Sequence, residues 1–190
     1  DLKCPFFFFS DLVVGETTCD GKKKMYEYMA EFKPIHVMEL PNRVSEDGLV
    51  LWKNEIIRMK EKLEEVFGIT ITEDDIRKGI QVKNAERSAI KKFYSIMKAD
   101  ELPVSGMDVQ KTLVGTTFNF DREAIPAQMD ELIKRIQEEG TCLEKRPRIL
   151  ITGCPMGGAT EKVVQIIEDN GGWCVAFENC TGAKAIEENV

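Results

Sequence analysis

One pattern occurs three times in this chain and restricts its fold more than any other feature. A short apolar run ends in a cysteine, a glycine follows two or three residues later, and a helical pattern begins. The three stretches are SDLVVGETTCDGKKK around Cys19, RILITGCPMGGATEK around Cys154 and GWCVAFENCTGAKAI around Cys180. A short apolar run bounded by turn residues reads as a buried strand, and the glycine-containing turn reads as a strand-to-helix junction. If the strands are parallel in one sheet, all three thiols lie at its carboxyl edge, where open α/β folds bind their ligands.

The rest of the chain supports an alternating α/β order. Strands are expected near residues 11–16, 35–40, 148–152 and 173–178. A helix over 20–32 joins the first two, with Met25, Tyr28, Met29 and Phe32 as its inner face. Asp47 to Phe67 reads as a long helix with a stripe of Leu51, Ile56, Met59, Leu63 and Val66, closed by Gly68. Thr72 caps the next helix, whose stripe is Ile76, Ile80, Ile90, Phe93 and Met97. Its other face carries Arg77, Lys78, Lys83, Glu86, Arg87, Lys91 and Lys92 and reads as solvated surface. Further helices are expected over 107–114, from Asp121 to Glu139, and over 157–170 with Val163, Val164, Ile166 and Ile167 buried. These elements describe a single α/β domain over 1–190: a Rossmann-like, four-stranded, mostly parallel sheet with a large helical insertion over 47–139. The aromatic run from Phe6 to Phe9 cannot wholly face water, so it is expected to pack on the core or on a partner domain. The start at Asp1 and the end within a helical pattern suggest a fragment, with a second α/β domain after 190.

Composition excludes several classes. The formal net charge of -7 disfavours non-specific binding to nucleic acid or to an anionic membrane. No apolar run approaches the roughly 20 residues of a membrane span, and the Pro5–Phe9 run lacks the flanks of a signal peptide. A reducing cytoplasmic setting follows, in which paired structural disulfides are not expected. The six cysteines are separated by 15, 123, 12, 20 and 6 positions, which match neither a zinc ribbon nor a ferredoxin run.

Three convergent thiols suit a metal or iron–sulfur site. A thiolate is the metal-binding form, and a helix N-terminus favours it. Gly21, Gly157, Gly158 and Gly182 would let the backbone approach a bulky anionic group. Lys22, Lys23 and Lys24 oppose the dipole of the helix they open, which calls either for a local anion, such as a cluster or coenzyme A phosphates, or for a surface role. Cys4 is a further ligand candidate from the chain start. Cys174 reads as core packing, Cys142 as incidental, and His36, the single histidine, as a core or edge residue of its strand. A dithiol redox site or plain structural thiols are the competing readings of the three junction cysteines. GCPMGG is neither a phosphate-binding Walker loop nor a GxGxxG turn.

The strings GETTCDGKKKMYE, HVMELP, ITGCPMGG and FENCTGAK resemble the 2-hydroxyacyl-CoA dehydratase family, which includes the 2-hydroxyglutaryl-CoA dehydratase D-component, benzoyl-CoA reductase subunits and double-cubane cluster proteins. The resemblance implies two Rossmann-like domains per subunit with a cluster between them, this chain being the first and inactive by itself. It implies an iron–sulfur cofactor, either 4Fe-4S or an 8Fe-9S double cubane, with Cys19, Cys154 and Cys180 as ligand candidates. Cys180 is typical of the double-cubane-like branch. An ATP-dependent iron–sulfur activator would deliver the electron for radical dehydration of a 2-hydroxyacyl-CoA, as a lyase. The double-cubane branch would instead reduce small molecules. A second subunit or a homodimer completes the expected partners. A non-catalytic subunit that holds a CoA ester is the remaining alternative.

Overall fold

The computed structural model describes residues 4–154, 157–178, 186 and 189. The chain forms two compact units, Asp1–Glu73 and Asp74–Val190.

The first unit is built on strands β1 (Val13–Glu16) and β2 (Ile35–Met38), which pair in parallel with Val13 opposite Ile35 and Glu16 opposite Met38. Val13 N donates to Pro34 O at 3.0 Å and Thr17 N to Met38 O at 3.1 Å, so the ladder extends by one bond at each end. Helix α1 (Pro5–Phe9) precedes β1, and α2 (Asp20–Met29) links the two strands. The inner face expected for α2 is corrected by the structure. Tyr26 is its buried residue, whereas Met25, Tyr28 and Phe32 are exposed. The reason lies in β1: a Cβ built on Gly15 would stand 2.4 Å from the Tyr26 ring, so the missing side chain leaves the slot that the ring fills. The 3.6-residue period allowed two apolar faces, and this slot chose between them.

Helix α3 (Glu46–Phe67) packs on β2. Ser45 Oγ caps it by accepting from Gly48 N at 3.1 Å, Glu46 and Asp47 in its first turn suit the helix dipole, and Gly68 ends it at φ 62°. Its buried polar contact is Glu55, which accepts from Glu39 N at 3.1 Å and pairs with Arg58 at 2.7 Å. Of the expected stripe, Leu51, Met59, Leu63 and Val66 are half-buried and Ile56 is exposed. In α1, Phe6, Phe8 and Phe9 are exposed while Phe7 is half-buried.

The second unit holds most of α4 (Glu73–Tyr94), a 3₁₀ turn over Ser95–Lys98, α5 (Gly106–Thr117), α6 (Ile125–Glu139), β3 (Arg148–Thr152), α7 (Thr160–Asp169) and β4 (Trp173–Glu178). β3 and β4 are parallel, with an irregularity between Ile149 and Leu150. Phe93, Val109, Ile125, Val164, Cys174 and Phe177 are fully buried and come from α4, α5, α6, α7 and β4. Cys174 is thus a core residue, as its strand position implied. Ile76 of α4 and Ile166 of α7 are exposed, against expectation, and Glu86 is buried rather than solvated. Glu86 tolerates burial because Lys83 at 2.8 Å and Arg122 at 3.3 Å meet its carboxylate.

The expected four-stranded sheet takes a different form. Among the described residues the strands pair as two separate two-stranded parallel sheets, β1 with β2 and β3 with β4. Each pair is linked by one short crossover helix, so its loop-closure cost is small. The intervening helices do not merely decorate a sheet: α4, α5 and α6 supply much of the core that surrounds β4.

Candidate functional site

The carboxyl ends of the parallel strands carry the thiols. After β1 the chain turns through Thr17 and Thr18; Thr18 N donates to Glu16 O at 2.8 Å, and Leu40 N donates to Thr17 Oγ1 at 2.9 Å. These bonds fasten the ends of β1 and β2 together just before Cys19. Cys19 is the N-cap of α2, extended at φ -155° and ψ 158°, and its carbonyl accepts from Lys23 N at 3.1 Å. Its thiol makes no capping hydrogen bond and is exposed. A serine or aspartate here would satisfy the helix end; a thiol does so weakly, which leaves the sulfur for another partner.

The second junction follows β3. Thr152, the last residue of β3, stands opposite Glu178, the last of β4, and its hydroxyl donates to the Glu178 carboxylate. Gly153 at φ 107° and Gly157 at φ 56° turn the backbone through conformations that favour glycine. Cys154 lies between them, exposed and free of any disulfide. A 3₁₀ turn over Gly157–Ala159 then leads into α7. Cys180 and Gly182 lie outside the described residues.

The glycines beside both junctions leave room for a bulky group. Cβ atoms built on Gly21, Gly157 and Gly158 would meet nothing within 4 Å. Among the described residues no three His, Cys, Asp or Glu side chains gather into a metal-binding cluster. The donor chemistry nevertheless suits a soft metal: two free, exposed thiols, each at the end of a parallel strand and at the start of a helical turn, with open space beside neighbouring glycines. Each thiol, taken in its own unit, is the type of donor that an iron–sulfur cluster takes.

Three of the other candidates come together in the first unit. Cys4, Gly21 and Lys24 line one groove of about 640 Å³ with Phe7, Met25, Tyr28, Met29 and Phe32. The residues that α2 was expected to bury therefore face this open groove. Lys22, Lys23 and Lys24 are exposed. Lys23 pairs with Asp20 at 3.4 Å, and Lys24 pairs with Glu27 and lies 5.1 Å from the Tyr28 ring centre, so neighbouring carboxylates already offset part of this positive charge. His36 is half-buried in β2, opposite Val14. Burial, with the Glu168 carboxylate nearby, pushes the Cys174 thiol up to about 11, which keeps it protonated and unreactive.

Sequence reasoning treated the charged face of α4 as solvent surface and so missed a cavity against its last turn. Ser88, Lys91, Lys92 and Ser95 follow one another at helical spacing, and that spacing was the signal available.

With the two strand-end junctions described, comparison with known proteins identifies the class. The chain matches the family described as 2-hydroxyglutaryl-CoA dehydratase, D-component, over residues 1–190, and it belongs to that family. A curated relative is a protein of Escherichia coli (strain K12) named "Putative dehydratase subunit YjiM". It is 57% identical over 192 residues, an alignment covering 99% of this chain and 50% of that protein. The chain therefore spans about half the length of the curated relative it matches.

Proposed function

We propose that this chain is part of an iron–sulfur dehydratase acting on a 2-hydroxyacyl-CoA. The observation that carries the reading is the coincidence of the family match over the whole chain with free thiols at strand ends, where this fold class binds ligands. Cys19, Cys154 and Cys180 would supply thiolates, and Cys4 is a further candidate. When bound, the cluster would supply low-potential electron transfer and an iron site open to a substrate oxygen. The chain's own residues would contribute in simpler ways. The Thr17–Leu40 and Thr152–Glu178 hydrogen bonds hold the strand ends, and the glycines leave space beside each thiol.

The partners follow from the same reading. The name of the E. coli relative includes the word subunit, and this chain is proposed to work with a second subunit or a second copy and with an ATP-dependent iron–sulfur activator. The proposed compartment is the cytoplasm; among the described residues no helix is long and apolar enough to cross a membrane. A double-cubane reductase of small molecules is favoured by one feature, the FENCTGAK string around Cys180.

The test is anaerobic purification of the full-length protein with iron and sulfide measured per chain. About four irons supports a single cubane and about eight the double cubane. Cys19→Ser and Cys154→Ser should each lose most of the iron and the activator-dependent loss of water from a 2-hydroxyacyl-CoA. Iron content unchanged in both variants overturns the ligand assignment.

A further inference from the structure

Cys19 opens α2 without capping it. Its thiol makes no hydrogen bond to the first turn, and its carbonyl accepts from Lys23 N at 3.1 Å. The leading amides of a helix have no partner within the helix, so an uncapped first turn frays easily. A candidate ligand at that position needs its direction fixed from elsewhere.

The fixing contact is the Tyr26 ring. Tyr26 is the buried residue of α2 and lies seven positions after Cys19. At 3.6 residues per turn, seven positions are close to two full turns, so Tyr26 and Cys19 share one side of the helix about 10 Å apart along its axis. The far edge of the ring occupies the slot over Gly15. A Cβ built there would stand 2.4 Å from Cζ, 2.5 Å from Cε2 and 2.7 Å from Cε1. Seating that edge sets the rotation of α2 about its axis, and with it the side on which Cys19 stands.

The chain before Cys19 is held as closely. Thr17 N donates to Met38 O at 3.1 Å, Thr17 Oγ1 accepts from Leu40 N at 2.9 Å, and Thr18 N donates to Glu16 O at 2.8 Å. Gly15, the Glu16–Thr18 turn, Cys19 and α2 as far as Tyr26 thus form a clasp, which the ring closes on its own starting point.

We propose that Gly15 and Tyr26 are positioning residues for Cys19: the ring seated on Gly15 holds the thiol where it would bind a cluster. Both act through the backbone of the turn and of α2. The proposal rests on the reading of Cys19 as a cluster ligand, and the clasp itself is measurable without metal.

The experiment compares the full-length parent with Gly15→Ala, Tyr26→Ala, Tyr26→Phe and the pair Gly15→Ala with Tyr26→Leu. The methyl group of Gly15→Ala displaces the ring, Tyr26→Phe keeps it, and the shorter leucine ends clear of the methyl. In iron-free protein, amide hydrogen exchange over residues 17–23 should be at least tenfold faster in Gly15→Ala and Tyr26→Ala. Iodoacetamide should label Cys19 at least threefold faster in both, with Cys154 labelled at the parent rate. Tyr26→Phe should match the parent, and the pair should return most of the way to it. In iron-loaded protein, Gly15→Ala should alter the electron paramagnetic resonance spectrum of the reduced cluster, and Tyr26→Phe should leave it unchanged. Parent-like exchange and labelling in Gly15→Ala overturn the proposal, as does a pair no closer to the parent than Gly15→Ala alone. Faster exchange with an unaltered spectrum also overturns it, since packing alone would do that. Iron retained by Cys19→Ser overturns the ligand reading. Iron lost in Cys19→Ser with parent-like exchange in Gly15→Ala overturns the positioning role alone, so the two failures are distinguishable.

Discussion

Gly106 is the position where one added methyl group should cost most. It opens α5, and a Cβ there would lie 2.0 Å from the Cys174 carbonyl oxygen, 2.8 Å from the Cys174 carbonyl carbon and 2.7 Å from Glu168 Oε1. The first two contacts are with strand backbone, which cannot rotate away. The third is the carboxylate that accepts from Gly106 N at 2.8 Å inside the core. Gly106→Ala must therefore push α5 away from β4, stretch that hydrogen bond, or both. Overpacking of a filled core costs about 1–3 kcal/mol, and a buried hydrogen bond to a charged group contributes about 1.5–3 kcal/mol. Because relaxation shares the two costs, the expected loss is roughly 2–5 kcal/mol. With a urea dependence of about 2 kcal/mol per molar, the midpoint should fall by about 1–2.5 M. Trp173 fluorescence in a Trp52→Phe background reports the unit that contains α5. Gly115→Ala in the same helix is the control: its Cβ would meet nothing within 4 Å, so it should be neutral or stabilise by about 0.5–1 kcal/mol. A Gly106→Ala midpoint within error of the parent, or a Gly115→Ala loss of equal size, would refute the close-approach argument.

Other outcomes follow from the same core. Burial pushes the Glu168 carboxyl up, more than hydrogen bonds from the Cys174 and Gly106 amides pull it down. A carboxyl raised in the folded state stabilises the fold below its unfolded pKa and loses that contribution as pH rises through the folded value. The stability of the parent relative to Glu168→Gln should therefore fall as pH rises from the ordinary glutamate range upward; a difference that is flat with pH would count against it. In iron-free protein at pH 8, iodoacetamide should label Cys19 and Cys154 quickly and Cys174 only after unfolding, as read by peptide mass mapping, since Cys174 is buried and its thiol is held protonated. Labelling of native Cys174 at the rate of Cys154 would contradict its place in the core.

Much of the local structure was legible in the residues because its causes are local. The four strands were readable from apolar runs with their bounding turns. Ser45 and Ser105 cap their helices through Gly48 N and Asp108 N, and Gly68 and Gly140 close theirs in the left-handed conformation, all within a few positions of chain. The family was legible too, because its motifs lie in those same junctions. Cys19 and Cys154 stand at strand ends, where the pattern put them.

What depended on contacts distant in sequence was not legible. Tyr26 rather than Met25 turned inward because Gly15 left a slot in β1, and nothing in α2 announces that slot. Glu86 and Glu168 are buried because Arg122, Lys83 and the amides of Gly106 and Cys174 reach them from other elements or from an adjacent turn. The pairing of strands into two ladders instead of one sheet likewise depended on which backbone groups met which, a choice that hydrophobic periodicity does not encode. The repeated strand–cysteine–glycine pattern by itself determined where the candidate thiols stand along the chain. The tertiary structure decided what surrounds them, since backbone geometry carries a residue only as far as its own turn and the packing of distant elements does the rest.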